Sequence, residues 1–334
     1  MSRANPVTLD APALRVEGLS VAIEVPAGVL HAVSDVDLHV DQGETLCIVG
    51  ESGCGKTMTA LAIMGLLPRR ARMRAERLEL EGQNLLAAGP RALAALRGDR
   101  IAMIFQDPMT SLNPVYTVGN QMEEVYLRHR NSGRKEARER AEHLLGKVGI
   151  AAPKARCGQY PHQLSGGLRQ RVMIAMALMC EPVVIIADEP TTALDVTIQA
   201  QILHLLADLQ AEYRMALVLI THDLGVVARM ADRVIVMYAG QVAETGDAEE
   251  VFERPLHPYT RGLIDCIPIP GKTPPGAMLG SIPGLVPSLI GTLEGCQFRG
   301  RCAQAFAECA AAPIPLRERG PGRASRCLLD GAAR

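Results

Sequence analysis

The chain has 334 residues, enough for one large domain with an appendage, and a formal net charge of −1 from 35 Lys and Arg against 36 Asp and Glu. That balance gives no overall field to draw nucleic acid or anionic lipid, so any membrane contact is expected to run through other proteins. Hydrophobic residues reach 48% with aromatics at 3% and no Trp, which leaves Ala, Val, Leu, Ile and the 14 Met to build the core.

The first residues, MSRANPVTLDAPALRVEG, hold no cationic start followed by an apolar run, so no secretory signal is expected and the protein is expected in the cytoplasm. Residues 14–40 alternate apolar and polar side chains, the period-two pattern of half-buried antiparallel strands, and predict a small β layer. After the turn at Asp41-Gln42-Gly43, ETLCIVG reads as a buried strand running into a Gly-rich loop, and TMTALAIMGLL as the helix that follows. Residues 106–160 change character, with Pro and Asn first and then charged helical sequence, and read as an inserted helical subdomain, about 107–178.

Beyond it, residues 183–187 and 216–220 are short aliphatic runs separated by the helical IQAQILHLLADLQAEY, the pattern of buried parallel strands joined by a crossover. The most apolar stretch, residues 172–187, is broken by Glu181 and Pro182 and is shorter than the ~20 residues of a membrane helix. Residues 233–246 predict a closing β hairpin. After Phe252 the chain turns rich in Pro and Gly with sparse periodicity through Leu289, which places a domain boundary near Arg254: residues 1–254, then 255–334. The body is α/β.

The loop Gly50-Glu51-Ser52-Gly53-Cys54-Gly55-Lys56-Thr57 fits G-x-x-x-x-G-K-[ST] in the strand-to-helix context that makes the motif specific. Its glycines let successive main-chain N–H groups converge on phosphate oxygens at a helix start, where Ser52, Cys54 and Met58 also lie. Lys56 would neutralise the β and γ phosphates, and the Thr57 hydroxyl would reach Mg²⁺. A Gly-rich capping turn alone would not need Lys and Thr in register.

The run VIIADE delivers Asp188 and Glu189 to the end of a buried strand, where open α/β sheets bind ligands. Asp188 would hold Mg²⁺ and Glu189 would orient the attacking water. Between these two motifs, Leu164-Ser165-Gly166-Gly167 opens the helix RVMIAMALM, and Ser165 with the N–H groups of Gly166 and Gly167 offers a second anion site. The plainer reading of that tetrapeptide is a capped helix.

A phosphate loop, then LSGG with a basic helix, then a strand ending in Asp-Glu resembles the ATPases of ABC (ATP-binding cassette) transporters. The resemblance implies a P-loop NTPase with an antiparallel N-terminal β layer, a helical insert and ATP as substrate. It implies that LSGG contacts ATP held by the opposite subunit. It makes Gln106, in IFQDP, the Q-loop glutamine that reaches Mg²⁺, Asp195 a D-loop residue, and His222 the switch histidine at the γ-phosphate. The family stacks adenine on an aromatic of the β layer; this chain has no aromatic before Phe105, and Ile23 takes that place, so a weaker apolar contact is expected.

IFQDPMTSLNP and ERPLHPYTRGL resemble, more narrowly, the ATPases of oligopeptide and dipeptide importers, with nickel and glutathione systems as relatives. That implies two transmembrane permease subunits, an extracytoplasmic substrate-binding protein, a second homologous ATPase subunit as heterodimer partner, and a place on the cytoplasmic face of the membrane. Nucleic acid is not an expected partner: the basic residues 128–140 are interleaved with Glu136 and Glu139 and lack aromatics, as on a solvated helix face. A soluble ABC ATPase acting on nucleic acid or ribosomes is the alternative, but those relatives carry inserts that this chain lacks. An iron-sensing regulatory module is a third.

Nine cysteines in a chain without an export signal do not suggest a disulfide framework. Four of them, Cys296, Cys302, Cys309 and Cys327, follow C-x5-C-x6-C-x17-C in a segment with little core, a composition suited to a cross-linking metal centre or to unligated thiols. The subfamily resemblance implies a [4Fe-4S] cluster there. Zn²⁺ is the alternative, although its Cys₄ sites usually show closer pairs.

Overall fold

The computed structural model describes residues 11–192, 194–267, 280–291 and 294–329. Along the chain it runs β1 (Leu14–Val25), β2 (Gly28–Val40), β3 (Thr45–Val49), α1 (Lys56–Ile63), β4 (Ala71–Arg74), β5 (Arg77–Leu80), β6 (Gln83–Asn84), α2 (Pro90–Leu96) and β7 (Ile101–Ile104). Helices α3 (Pro108–Ser111), α4 (Val118–His129), α5 (Arg134–Lys147), α6 (Pro153–Cys157) and α7 (Gly166–Ala177) follow. The chain continues with β8 (Val184–Asp188), α8 (Val196–Tyr213), β9 (Ala216–Thr221), α9 (Leu224–Met230), β10 (Arg233–Tyr238), β11 (Gln241–Asp247), α10 (Ala248–Glu253) and α11 (Pro258–Asp265), and ends with β12 (Arg317–Gly320) and β13 (Arg323–Ser325). Among the described residues no helix is long and apolar enough to cross a membrane.

Two compact units emerge. The first holds residues 11–15, His39–Glu44 and Glu79–Leu219. Its strands β7 and β8 pair in parallel, Ile101 opposite Val184 through Ile104 opposite Ala187, and the Ala216 N–H donates to the Val183 carbonyl at 2.8 Å to set β9 alongside. All five residues of β8 are buried, as a strand covered on both faces requires. The helices read as an insert pack among themselves: Ala137, Ala141, Leu144 and Leu145 of α5 recur at helical spacing and are buried. The Thr117 hydroxyl accepts from the Asn120 N–H at 3.3 Å to start α4.

The second unit holds Val16–Leu38, Thr45–Leu78 and the chain from Ile220 onward. Here β1 pairs antiparallel with β4, in register from Ser20 opposite Arg74 to Ile23 opposite Ala71. Strand β3 pairs in parallel with β10, β10 antiparallel with β11, β11 antiparallel with β13, and β13 antiparallel with β12. The predicted hairpin at 233–246 is therefore present.

The segment after Phe252 is more regular than its Pro and Gly content suggests. Helix α11 begins at Pro258, whose missing N–H costs nothing at a first helical position, with His257 as its cap. Strands β12 and β13 span only four and three residues, too short to leave a readable alternation.

Candidate active site

The phosphate loop leaves β3, whose five residues are all buried, and enters α1. Gly50, Gly53 and Gly55 take φ values of 151°, 75° and 104°, which side chains disfavour. At Gly55 a Cβ would sit 2.5 Å from the Ala32 carbonyl oxygen, so the loop keeps this path unstrained only with glycine there. The buried Lys56 ammonium donates to the carbonyls of Gly50 (2.8 Å) and Glu51 (3.0 Å). These are weak neutral partners for a buried cation, so an anionic oligophosphate is the natural exchange. Cys54 is buried beside Lys56, and burial pushes its thiol up, so it packs as an uncharged side chain. Ser52 and Thr57 are exposed and Met58 half-buried. In the same unit, His222 is exposed just after β9, and Ile23 is half-buried on β1.

Residues beyond 254 of the same chain lend the loop two supports. The Glu51 N–H donates to the Tyr259 hydroxyl at 2.9 Å, and the Glu51 carboxylate accepts from Arg301 at 2.9 Å.

In the first unit, Asp188 is buried at the end of β8 and Glu189 turns into the left-handed backbone region at φ 44°. A non-glycine residue there stores roughly 1–3 kcal/mol of strain, which is common where a side chain must be aimed. The Glu189 carboxylate accepts from the Gln106 amide at 3.1 Å and from the Thr192 hydroxyl at 2.8 Å. Gln106 and Glu189, named from separate motifs 83 residues apart, thus meet.

Ser165 caps α7, its hydroxyl accepting from the Leu168 N–H at 3.4 Å, and Asp195 caps α8 by accepting from the Ile198 N–H at 2.9 Å. A Cβ on Gly167 would meet the Ile198 side chain at 2.9 Å, so the second glycine lets these two helix starts pack closely. Ala193 lies outside the described residues.

Glu244, on β11 and wholly buried, accepts from the N–H groups of Leu256 (2.9 Å) and His257 (2.8 Å) and from Arg323 (3.3 Å). His257 in turn accepts at Nδ1 from the Tyr259 N–H at 3.0 Å, and its burial pushes its pKa down to about 4. Tyr238, Tyr259 and Phe298 form an aromatic cluster with ring centroids 4.6 to 5.4 Å apart.

Cys296, Cys302, Cys309 and Cys327 all line one small cavity with His257 and Phe298. Burial, then the neighbouring thiols, pushes Cys296 up, and burial likewise raises Cys302 and Cys327. Among the described residues no group of three His, Cys, Asp or Glu stands ready to hold a single metal ion, so the thiols share a cavity without converging on a point.

Thr192, Tyr259, Arg301 and Glu244 escaped the sequence reading. Tyr259 was within reach through the HPYT tetrapeptide. Arg301 was not, because it meets Glu51 across 250 positions with no motif to join them.

Comparison with known proteins agrees with this geometry. Residues 33–192 match the ABC transporter family and residues 243–309 match the oligopeptide/dipeptide transporter C-terminal region. The dipeptide transport ATP-binding protein DppD of Escherichia coli is 50% identical over 323 residues, covering 96% of this chain and 98% of that protein. DppD of Bacillus subtilis is 48% identical over 297 residues, covering 89% and 88%. A dimeric ATP-binding cassette solved in a post-hydrolysis state with ADP and Pi is similar in fold, with TM-score 0.63 and 27% identity over 70% of this chain and 98% of that one. The cbiO1 subunit of a Clostridium perfringens ABC transporter complex gives TM-score 0.61 and 28% identity over 73% and 92%. With half its residues shared along nearly its full length, this chain belongs to the ABC transporter ATP-binding proteins, in the group that carries the oligopeptide/dipeptide transporter C-terminal region.

Proposed function

We propose that this protein is the ATP-hydrolysing subunit of an importer that carries dipeptides and short oligopeptides across the cytoplasmic membrane, working from its cytoplasmic face. The observation that carries the reading is the Lys56 ammonium, buried inside a glycine loop and held by uncharged groups, the carbonyls of Gly50 and Glu51 and the Cys54 thiol, in a chain whose C-terminal region matches the peptide-transporter type. MgATP displaces those carbonyls, with the main-chain N–H groups of residues 53–58 around its phosphates and Ile23 against its adenine. Thr57, Gln106 and Asp188 hold Mg²⁺; Glu189 orients the water and His222 senses the γ-phosphate.

Ser165, Gly166, Gly167 and Asp195 serve ATP bound to a second, homologous ATPase subunit, so the working unit is a heterodimer. Two transmembrane permease subunits and an extracytoplasmic substrate-binding protein complete it, and the cargo never touches this chain. Residues 1–254 act as the nucleotide-binding domain and 255–334 as the extension. The four cysteines around one cavity suit a [4Fe-4S] cluster better than Zn²⁺, since a cluster takes its thiolates at separate corners. Its role there is to cross-link a segment with little core of its own.

Purification from solubilised membranes tests the importer reading. Two multi-span proteins and a second ATPase should co-purify, with ATPase activity raised by a peptide-loaded binding protein. Recovery of ribosomes or nucleic acid instead would move the protein to the soluble branch. Anaerobic iron analysis tests the cluster, with about four iron atoms per chain expected; colourless protein carrying one zinc would replace it.

A further inference from the structure

Glu51 is gripped at three points. Its N–H donates to the Tyr259 hydroxyl at 2.9 Å, its carbonyl accepts from the Lys56 ammonium at 3.0 Å, and its carboxylate accepts from the Arg301 guanidinium at 2.9 Å. Two of these three grips come from residues beyond 254, and the third is the lysine that meets the phosphates.

Arg301 is itself fixed on every side. Its side chain is only 7% exposed and also donates to the carbonyls of Ile282 (3.1 Å) and Pro283 (2.9 Å). Its guanidinium carbon lies 5.7 Å from the Tyr238 ring centre and 5.9 Å from that of Phe298, within cation–π range. A cation so thoroughly used cannot swing away when a ligand arrives. Glu51 is the acid nearest in sequence to the glycines of the phosphate loop, and without a partner its carboxylate would repel a polyanion entering that loop. Loss of the ion pair would also release the segment whose carbonyl holds Lys56.

We propose that Arg301 is a positioning residue for the phosphate loop: by neutralising and anchoring Glu51 it sets the affinity for MgATP, which makes the segment beyond residue 254 part of the nucleotide site. The inference rests on the ATPase reading above and deepens it. It has a charge signature that a merely structural ion pair lacks, because the two partners act on the ligand with opposite sign. Removing Arg301 leaves a bare carboxylate beside the loop, whereas removing the charge of Glu51 leaves a cation there.

The test compares the full-length chain with R301M, E51Q and the double variant, measuring the Kd of a fluorescent ATP analogue with Mg²⁺ and the KM and kcat for ATP hydrolysis. R301M should raise Kd and KM about tenfold or more, equivalent to about 1.4 kcal/mol or more, with kcat at saturating ATP changed far less. E51Q should bind more tightly than the wild type, and E51Q added to R301M should recover most of the lost affinity. Equal weakening by both single variants without recovery, or an R301M that binds like the wild type, overturns the proposal. If R301M does not fold, E51Q decides alone: weaker binding than the wild type refutes the charge argument and tighter binding supports it. A wild-type chain without affinity for MgATP would instead sink the ATPase reading itself.

Discussion

The Gln106 amide donates to the Glu189 carboxylate at 3.1 Å, joining the start of the helical segment to the end of β8. The Thr192 hydroxyl takes the same carboxylate oxygen at 2.8 Å, so Glu189 is aimed from two directions in spite of its strained backbone. An amide oxygen can accept both of these hydrogen bonds in place of the carboxylate oxygen. Glu189→Gln should therefore keep MgATP binding while turnover falls by about 10²- to 10⁴-fold, the usual worth of a general base. Single-turnover hydrolysis beside equilibrium binding checks this; normal turnover would remove Glu189 from its role.

Gly55→Ala probes the loop geometry. The added methyl meets the Ala32 carbonyl at 2.5 Å and a φ of 104°, so the loop must shift or strain by roughly 1–3 kcal/mol. The variant should fold but lose the thermal stabilisation that MgATP confers on the wild type, about 2.7 kcal/mol at a hundredfold excess over Kd. A retained MgATP-dependent shift in Tm would show that the loop tolerates the side chain.

Glu244 is the hub on which the HPYT segment hangs. With its side chain gone, the N–H groups of Leu256 and His257 lose their acceptor in a buried place, and the Arg323 guanidinium loses the buried one of its two carboxylate partners. Glu244→Ala should cost about 3–5 kcal/mol, as breaking a buried pair from one side does. Urea denaturation gives the value directly, and a loss below about 1 kcal/mol would mean that water reaches the site.

The local parts of the candidate site were legible in the sequence. A glycine loop between strand and helix, or two acids closing an aliphatic strand, lies within eight consecutive residues, and the strand and helix are where the sequence pattern puts them. The helical insert was legible for the same reason, since Ala137, Ala141, Leu144 and Leu145 repeat at helical spacing. What stayed hidden depends on long-range pairing. Helix α11 is short and opens with a proline in a segment that looks broken, and β13 is three residues whose strand character comes from pairing with β11. Arg301 and Glu244 act through partners from 12 to 250 positions away, and no periodicity records that.

Acid should weaken the protein through His257. Buried, it is held neutral with a pKa of about 4 against the ordinary 6.5, its Nδ1 accepting from the Tyr259 N–H. Protonation would place a donor against a donor. Because the folded pKa is the lower one, the unfolded chain binds the extra proton between pH 6.5 and 4. The stabilisation is complete above the unfolded value and is lost as pH falls toward the folded one, by at most about 3 kcal/mol. His257→Asn keeps an acceptor for the helix start and removes the titration, so its stability should vary less across that window. Parallel pH profiles of the two proteins would reject the assignment.

Strand β13 lies along β11, with Ser325 opposite Glu244 and Ala324 opposite Thr245, while the His31 N–H donates to the Leu289 carbonyl at 2.8 Å and Arg301 reaches Glu51. A shortened version ending after residue 254 would expose a bare strand edge open to pairing with other molecules, strip β2 of a backbone partner and leave an acid unbalanced beside the phosphates. Such a fragment of this chain would be a poor stand-in for the intact subunit, prone to aggregate through its uncovered edge.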